Sequence, residues 1–417
     1  MNPEGVPKSS LNSIPIRWET ANDRILHATF CLLAVLGSVS IARAASEIDI
    51  QKQGLWVVGQ TRPVPVSISG FSGEVAEVIQ FDLYVQGFSF TNAEGAQFLL
   101  SGSNNGNVQG RAVDNLSKTT LISKSYTGAS ARRQAHAFVD DFVQALPPPM
   151  GRKGIGQTKI AFKGEVGRDS EIYIADFDGH NGQGVTQDHA LVAAPCWVPG
   201  RSALYYTSYK LGNPDIFYHD LTTGQRRAVA SYSGLNTSAS VSPDGHRVAM
   251  ILSKGGSPDV YVCDAQGGNL LRLTETREDE SSPCWSPDGQ WICFATKLKE
   301  RRTLCKVPAS GGQVQRISTT GVSNPTEPDY SPDGKWIVFT AQMGGFEICV
   351  VPAQGGQATD LVSGEDACWG PNSRTVVFTR RQGGTRVLSL LDVPTKQVKD
   401  VSRASGISSQ SQPTWAK

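Results

Sequence analysis

Three carboxylates stand in the same short frame: Asp244, Asp288 and Asp333, each inside Ser-Pro-Asp-Gly. Paired carboxylates can do general acid–base work, but an active site is built once, and these come in three equivalent copies. Proline presets the first turn position, aspartate caps the turn and glycine accepts positive φ, so the cluster reads as turn chemistry. The six histidines are scattered, with only His180 and His189 close in sequence. His136, in a helical pattern with no visible partner, reads as a packing or capping residue. "DFDGHNG", Asp176 to Gly182, resembles a calcium loop but lacks the closing glutamate, and it sits where a hairpin turn is expected. No G-x-S-x-G elbow, H-E-x-x-H pair or P-loop occurs. No catalytic residue, metal ligand or cofactor site is assigned.

The cysteines carry no metal spacing either. Beyond Cys31, seven remain: Cys196, Cys263, Cys284, Cys293, Cys305, Cys349 and Cys368, with no C-x-x-C pair. Their strand positions fit small buried thiols, and no disulfide pairing can be assigned. With 39 basic and 38 acidic side chains the charge is balanced, which argues against a nucleic-acid partner.

The elements that carry these residues repeat. The bulky position of Trp285 recurs at Trp197, Val241, Tyr330, Trp369 and Trp415. In each unit of about forty residues, a strand ends in that anchor, and a Pro turn, an alternating strand, a second strand and a Gly-Gly turn follow. Four strands per unit make a β-propeller blade. The array opens at "TKIAF", Thr158 to Phe162, with the second strand of a blade, and "SQPTWAK", Ser411 to Lys417, supplies the missing first strand. Six blades closed by the terminal strand are expected, since closure removes exposed edges. The fold class is therefore mainly β, a C-terminal six-bladed propeller over 158–417 preceded by a small α/β domain over 46–146. Within that domain "GEVAEVIQFDLYVQ" and "ASARRQAHAFVDDFVQAL" are expected helices, and 147–157 is a proline-rich linker.

Residues 1–45 form a different segment. A polar stretch with Lys8, Arg17 and Arg24 leads into an apolar run, Ile25 to Ala44, ending in Ala-Arg-Ala. This reads as a secretory signal cleaved near Ala44; the small residues and Arg43 favour that over a membrane anchor. An exported, monomeric protein is expected.

At one mouth of a propeller gather the loops that enter the inner strands. Here they are polar and differ in every blade: "TQDHALVA", "SGLNTSA", "REDESSP", "SNPTEPD", "SGEDA" and "SSQSQP". Loops that differ are free to recognise a partner, and Glu278, Asp279, Glu280, Glu327, Glu365 and Asp366 give an acidic rim.

The "P-x-W-S-P-D-G" repeat, with its "I-x-F" and "D-x-Y-V" strands, resembles the TolB family, periplasmic components of the bacterial Tol–Pal envelope system. More specific are "AHAFVDDFVQAL…TKIAF" from Ala135 to Phe162, "ADFDGHN" from Ala175 to Asn181 and "FDLYVQGFSF" from Phe81 to Phe90. The "PPP" run, a shortened smaller domain and two weaker turns depart from the family pattern. The resemblance implies a non-enzymatic periplasmic adaptor, peripheral to the membrane through its partners, supporting outer-membrane integrity and cell division. Its mouth would hold a peptidoglycan-associated lipoprotein, Pal, with Asn236, Glu280, Ser282, Thr326, Glu327 and Asp366 as contacts. The segment Ser46, Glu47, Ile48, Asp49 and Ile50 would bind TolA, by strand addition or in competition with docking on its own domain. A propeller-bearing hydrolase is the alternative, but no hydrolase domain is expected, as Lys417 ends the closing strand. A metal-channel propeller would need inward His or carboxylate side chains on several inner strands.

Overall fold

The computed structural model describes residues 57–128 and 130–417. The expected signal segment and Ser46–Ile50 lie outside the described residues.

The smaller domain is a five-stranded sheet with two helices. Strands β1 (Val64–Ser69), β2 (Phe88–Phe90), β3 (Phe98–Ser103), β4 (Val108–Asp114) and β5 (Thr120–Tyr126) lie in the order β2-β1-β3-β4-β5. Parallel pairing of β1 with β2 and β3 requires a crossover, which helix α1 (Gly73–Tyr84) supplies. Helix α2 (Ala131–Ala145) starts at Ser130, whose hydroxyl accepts from the Arg133 amide, and stops before Pro147. Its Phe138 and Phe142, four residues apart, bury completely with Ile79, Leu83, Phe98 and Leu100. Both expected helices are present, the second with the buried face that Phe138 and Phe142 share.

Six four-stranded antiparallel sheets follow, and they form a six-bladed propeller. The inner strands are Val192–Trp197, Asn236–Val241, Ser281–Trp285, Pro325–Tyr330, Glu365–Trp369 and Ser409–Trp415. The last of these pairs with Lys159–Val166, Trp415 lying opposite Ile160, so the two ends of the array share one sheet. All six bulky anchors are buried, Trp369 and Trp415 almost completely, in cores between adjacent blades.

The Ser-Pro-Asp-Gly frame builds one local knot three times. The Ser286 hydroxyl donates to Asp288 at 2.5 Å, Asp288 accepts from the Gln290 amide at 3.0 Å, and the Trp291 amide donates back to Ser286 at 2.9 Å. Ser242 and Asp244 do the same with His246 and Arg247, as do Ser331 and Asp333 with Lys335 and Trp336. Gly245, Gly289 and Gly334 follow at φ of 74°, 67° and 71°, where a side chain would be strained. In the blade with "GPNS", Asn372 accepts from the Arg374 amide instead. These carboxylates are turn caps.

The two domains meet through buried groups. Phe81 of α1 packs edge-on against Phe177, which stacks on Trp415 of the closing strand at 6.2 Å. The Thr375 hydroxyl donates to the Val85 carbonyl, and Gln397 to that of Phe88. His136 lies 2.7 Å from Asp82 through Nδ1 and 3.4 Å from Asp178 through Nε2, and Arg132 also pairs with Asp178. The turn "DFDGHN" thus contributes Asp178 to the domain junction. Among the described residues no group of three or more His, Cys, Asp or Glu is placed to hold a metal ion.

Candidate functional site: the inner-strand mouth

Every inner strand breaks its pairing once, at the same place. The register shifts near Ala194, Ser238, Ser282, Glu327, Asp366 and Gln412, leaving an unpaired bulge residue in each blade. All six are left-handed, with φ between 49° and 58°, and none is glycine. A non-glycine residue there costs roughly 1 kcal/mol. One left-handed bulge thus stands in every blade around the channel.

Three of the six side chains link neighbouring blades. Glu327 Oε2 accepts from the Asp366 amide at 3.1 Å, Asp366 Oδ2 from the Gln412 amide at 3.2 Å, and Gln412 Oε1 from the Ala194 amide at 2.9 Å. Thr340 donates to Glu327 and Thr379 to Asp366. This belt runs halfway round the channel. On the other half stand Ala194, Ser238 and Ser282, too short to reach across. Burial, together with the Glu327 and Glu365 carboxylates, pushes the Asp366 carboxyl up from its ordinary value.

The expected contact residues divide accordingly. Ser282, Thr326, Glu327 and Asp366 are half-buried at the mouth. Asn236 and Glu280 are buried. Asn236 donates to the carbonyls of Tyr232 and Pro214 and accepts from the Tyr232 amide. Glu280 accepts from Thr274, from Thr276 and from the Val260 amide. Both set the shape of the mouth from beneath it. Burial raises the Glu280 carboxyl to about 7.

The acidic rim is also thinner than the residue types imply. Glu365 is neutralised by Arg386 at 2.9 Å and Arg381 at 3.2 Å, so Glu278 and Asp279 are left as its unpaired outer charges. The positive-φ ring and Gln412 escaped sequence reasoning, because neither residue type nor spacing marks a left-handed bulge. This mouth offers fixed donors, acceptors and charge, among them the hydroxyl–carboxylate pairs of Thr340 with Glu327 and Thr379 with Asp366.

At the opposite mouth the anchors frame a cavity of about 310 Å³, lined by Trp197, Trp285, Tyr330 and Trp415 and crossed by the Asp329–Lys417 ion pair. The seven described cysteines are free thiols, five of them buried.

Residues 150–417 match the family model described as the TolB beta propeller domain. The Tol-Pal system protein TolB of Bordetella pertussis is 28% identical over 319 residues, spanning 68% of this chain and 71% of its own length. Its namesake in Bordetella bronchiseptica is 28% identical over the same length, 68% and 70%. The crystal structure of TolB from Acinetobacter baumannii superposes with a TM-score of 0.76 at 22% identity, covering 87% of this chain and 98% of that one, which speaks for the fold.

Proposed function

The chain belongs to the TolB β-propeller family, and on that premise we propose that it is a non-enzymatic periplasmic adaptor of the Tol–Pal envelope system. It is a monomer, exported by its leader and held at the membrane only through partners. Its inner-strand mouth receives the peptidoglycan-associated lipoprotein, and the segment Ser46–Ile50 engages TolA. The pair of contacts supports outer-membrane integrity and cell division. The observation that carries this reading is the ring of six left-handed bulges at a mouth whose loops differ in every blade. Ser282, Thr326, Glu327 and Asp366 are the contacts, and Asn236 and Glu280 are positioning residues.

The test is capture of the lipoprotein's soluble domain by the immobilised protein at low salt. Glu327→Lys reverses a charge and cuts the belt at its first link, so capture is expected to fall by about tenfold or more. Capture equal to that of the unaltered protein relocates the interface. Failure of the unaltered protein to capture any lipoprotein removes the adaptor reading.

A further inference from the structure

The hairpin of strands Trp291–Leu298 and Arg301–Pro308 reads "KLKERR" across its tip, Lys297 to Arg302. Its turn residues, Lys299 and Glu300, both have positive φ, at 52° and 66°. Such a two-residue turn ordinarily takes Asn-Gly. Lys297 and Arg302 lie directly opposite each other, a like-charge pair that weakens a sheet. Local strain and charge repulsion therefore coincide on one exposed tip.

Beside the tip is a groove of about 1000 Å³ between this blade and the next. Lys299, Arg301, Arg302 and Arg316 line it, and none is ion-paired with a described carboxylate. Glu300 lines it too and bonds to none of them. Arg302 reaches only the Ser281 hydroxyl, at 3.5 Å, and Arg316 the Thr303 hydroxyl, at 3.2 Å. Leu298 and Val322 add an apolar wall, and Leu298 is 48% exposed. By contrast, Arg272, Arg374 and Arg386 elsewhere in the propeller all have carboxylate partners. The groove ends at Pro325, where the inner strand carrying Thr326 and Glu327 begins.

We propose that this groove binds an acidic polypeptide segment of a partner, its carboxylates on the four cations and an apolar side chain against Leu298 and Val322. The charge complementarity is local. The loop bearing Glu278 and Asp279 runs into Ser281, which Arg302 touches. A long polyanion or an anionic membrane surface would meet those carboxylates; a short segment lying in the groove avoids them. The inference stands apart from lipoprotein capture, because a peptide alone reads it.

The experiment is fluorescence anisotropy of a labelled peptide of interspersed glutamate and leucine, titrated with the full chain at low salt. Saturable binding that weakens as salt rises is expected. The variant R301E/R316E alters two exposed side chains and should lose at least about tenfold in affinity, with an unchanged circular dichroism spectrum and melting temperature. K299E, at the turn itself, should weaken binding in the same direction. No saturable binding by the unaltered protein, or equal affinity in the variants, overturns the proposal. So does a preference for phosphatidylglycerol vesicles or single-stranded DNA over the peptide.

Discussion

Replacing His136 by glutamine keeps a polar side chain at the domain junction and removes its charge. The imidazole stands between Asp82, fully buried, and Asp178, 3% exposed. Burial alone would depress it, yet the two carboxylates hold its pKa at about 10. Asp82 is raised by burial to about 6 despite the imidazolium, and Asp178 is held at about 2 against its own burial by His136 and Arg132. The rise of the imidazole from 6.5 to about 10 corresponds to at most about 5 kcal/mol. Loss of the charge is softened because Asp82 can take up a proton and Arg132 still faces Asp178. The expected cost near neutral pH is therefore about 3 kcal/mol, the low end for breaking a buried pair. A group whose pKa is raised on folding stabilises fully below its unfolded pKa and ceases to do so above its folded one. The gap between the unaltered protein and H136Q should thus be widest below pH 6.5 and close towards pH 10. The raised Asp82 acts in the same direction below about pH 6 in the unaltered protein. Urea unfolding followed by tryptophan fluorescence reads this directly, since Trp415 stacks on Phe177 beside the imidazole. A gap of constant size from neutral to alkaline pH would refute the charged junction.

Trp415→Ala removes a side chain 1% exposed from the closing strand, and about 3–5 kcal/mol of stability should go with it. Limited proteolysis should then cut near residue 409; resistance equal to that of the unaltered protein would contradict closure by this strand. Glu280 has a folded pKa raised to about 7, so its contribution is present in acid and lost as pH rises through that value. E280Q should flatten the fall in unfolding midpoint between mildly acidic and neutral pH, and an unchanged slope would assign the fall to other groups. Deleting Ser46–Gln51 should leave the melting temperature unchanged and alter partner binding in envelope crosslinking. Loss of the folded state on deletion would make that segment structural.

Blade number and closure were legible because turns demand particular residues. Pro, Asp and Gly at fixed offsets announce a backbone that few other residues can adopt, and the Trp and Tyr anchors repeat because every interblade core needs the same volume filled. The helices were legible for a similar reason, Phe138 and Phe142 sharing one face. The mouth was harder to read. Ala194, Ser238, Ser282, Glu327, Asp366 and Gln412 adopt one conformation through six positions with little chemistry in common, and that conformation is imposed by the bulge. At Asn236 and Glu280 residue type could not show that their polar groups are buried and bonded within the fold. His136 lacked a visible partner because Asp82 and Asp178 are distant in sequence and only folding brings them together. Whole-chain charge balance hid the basic hairpin, which appears once charge is counted groove by groove.

The closing strand joins features that would otherwise be independent. At one end Gln412 takes the amide-to-side-chain link from Asp366 and passes it to Ala194, so two of the three links of the belt run through this strand. At the other end Trp415 donates its indole N–H to Thr158 and stacks on Phe177, the ring that also touches His136 and Phe81 of the smaller domain. Only a few residues separate these contacts, and the strand is paired to Lys159–Val166 on either side of its bulge. Gln412 sits at that unpaired bulge, with Ser411 opposite Lys163 on one side and Thr414 opposite Ala161 on the other. The strand that shuts the propeller therefore carries both the mouth's links to Asp366 and Ala194 and the Trp415 contact with the ring that touches the smaller domain.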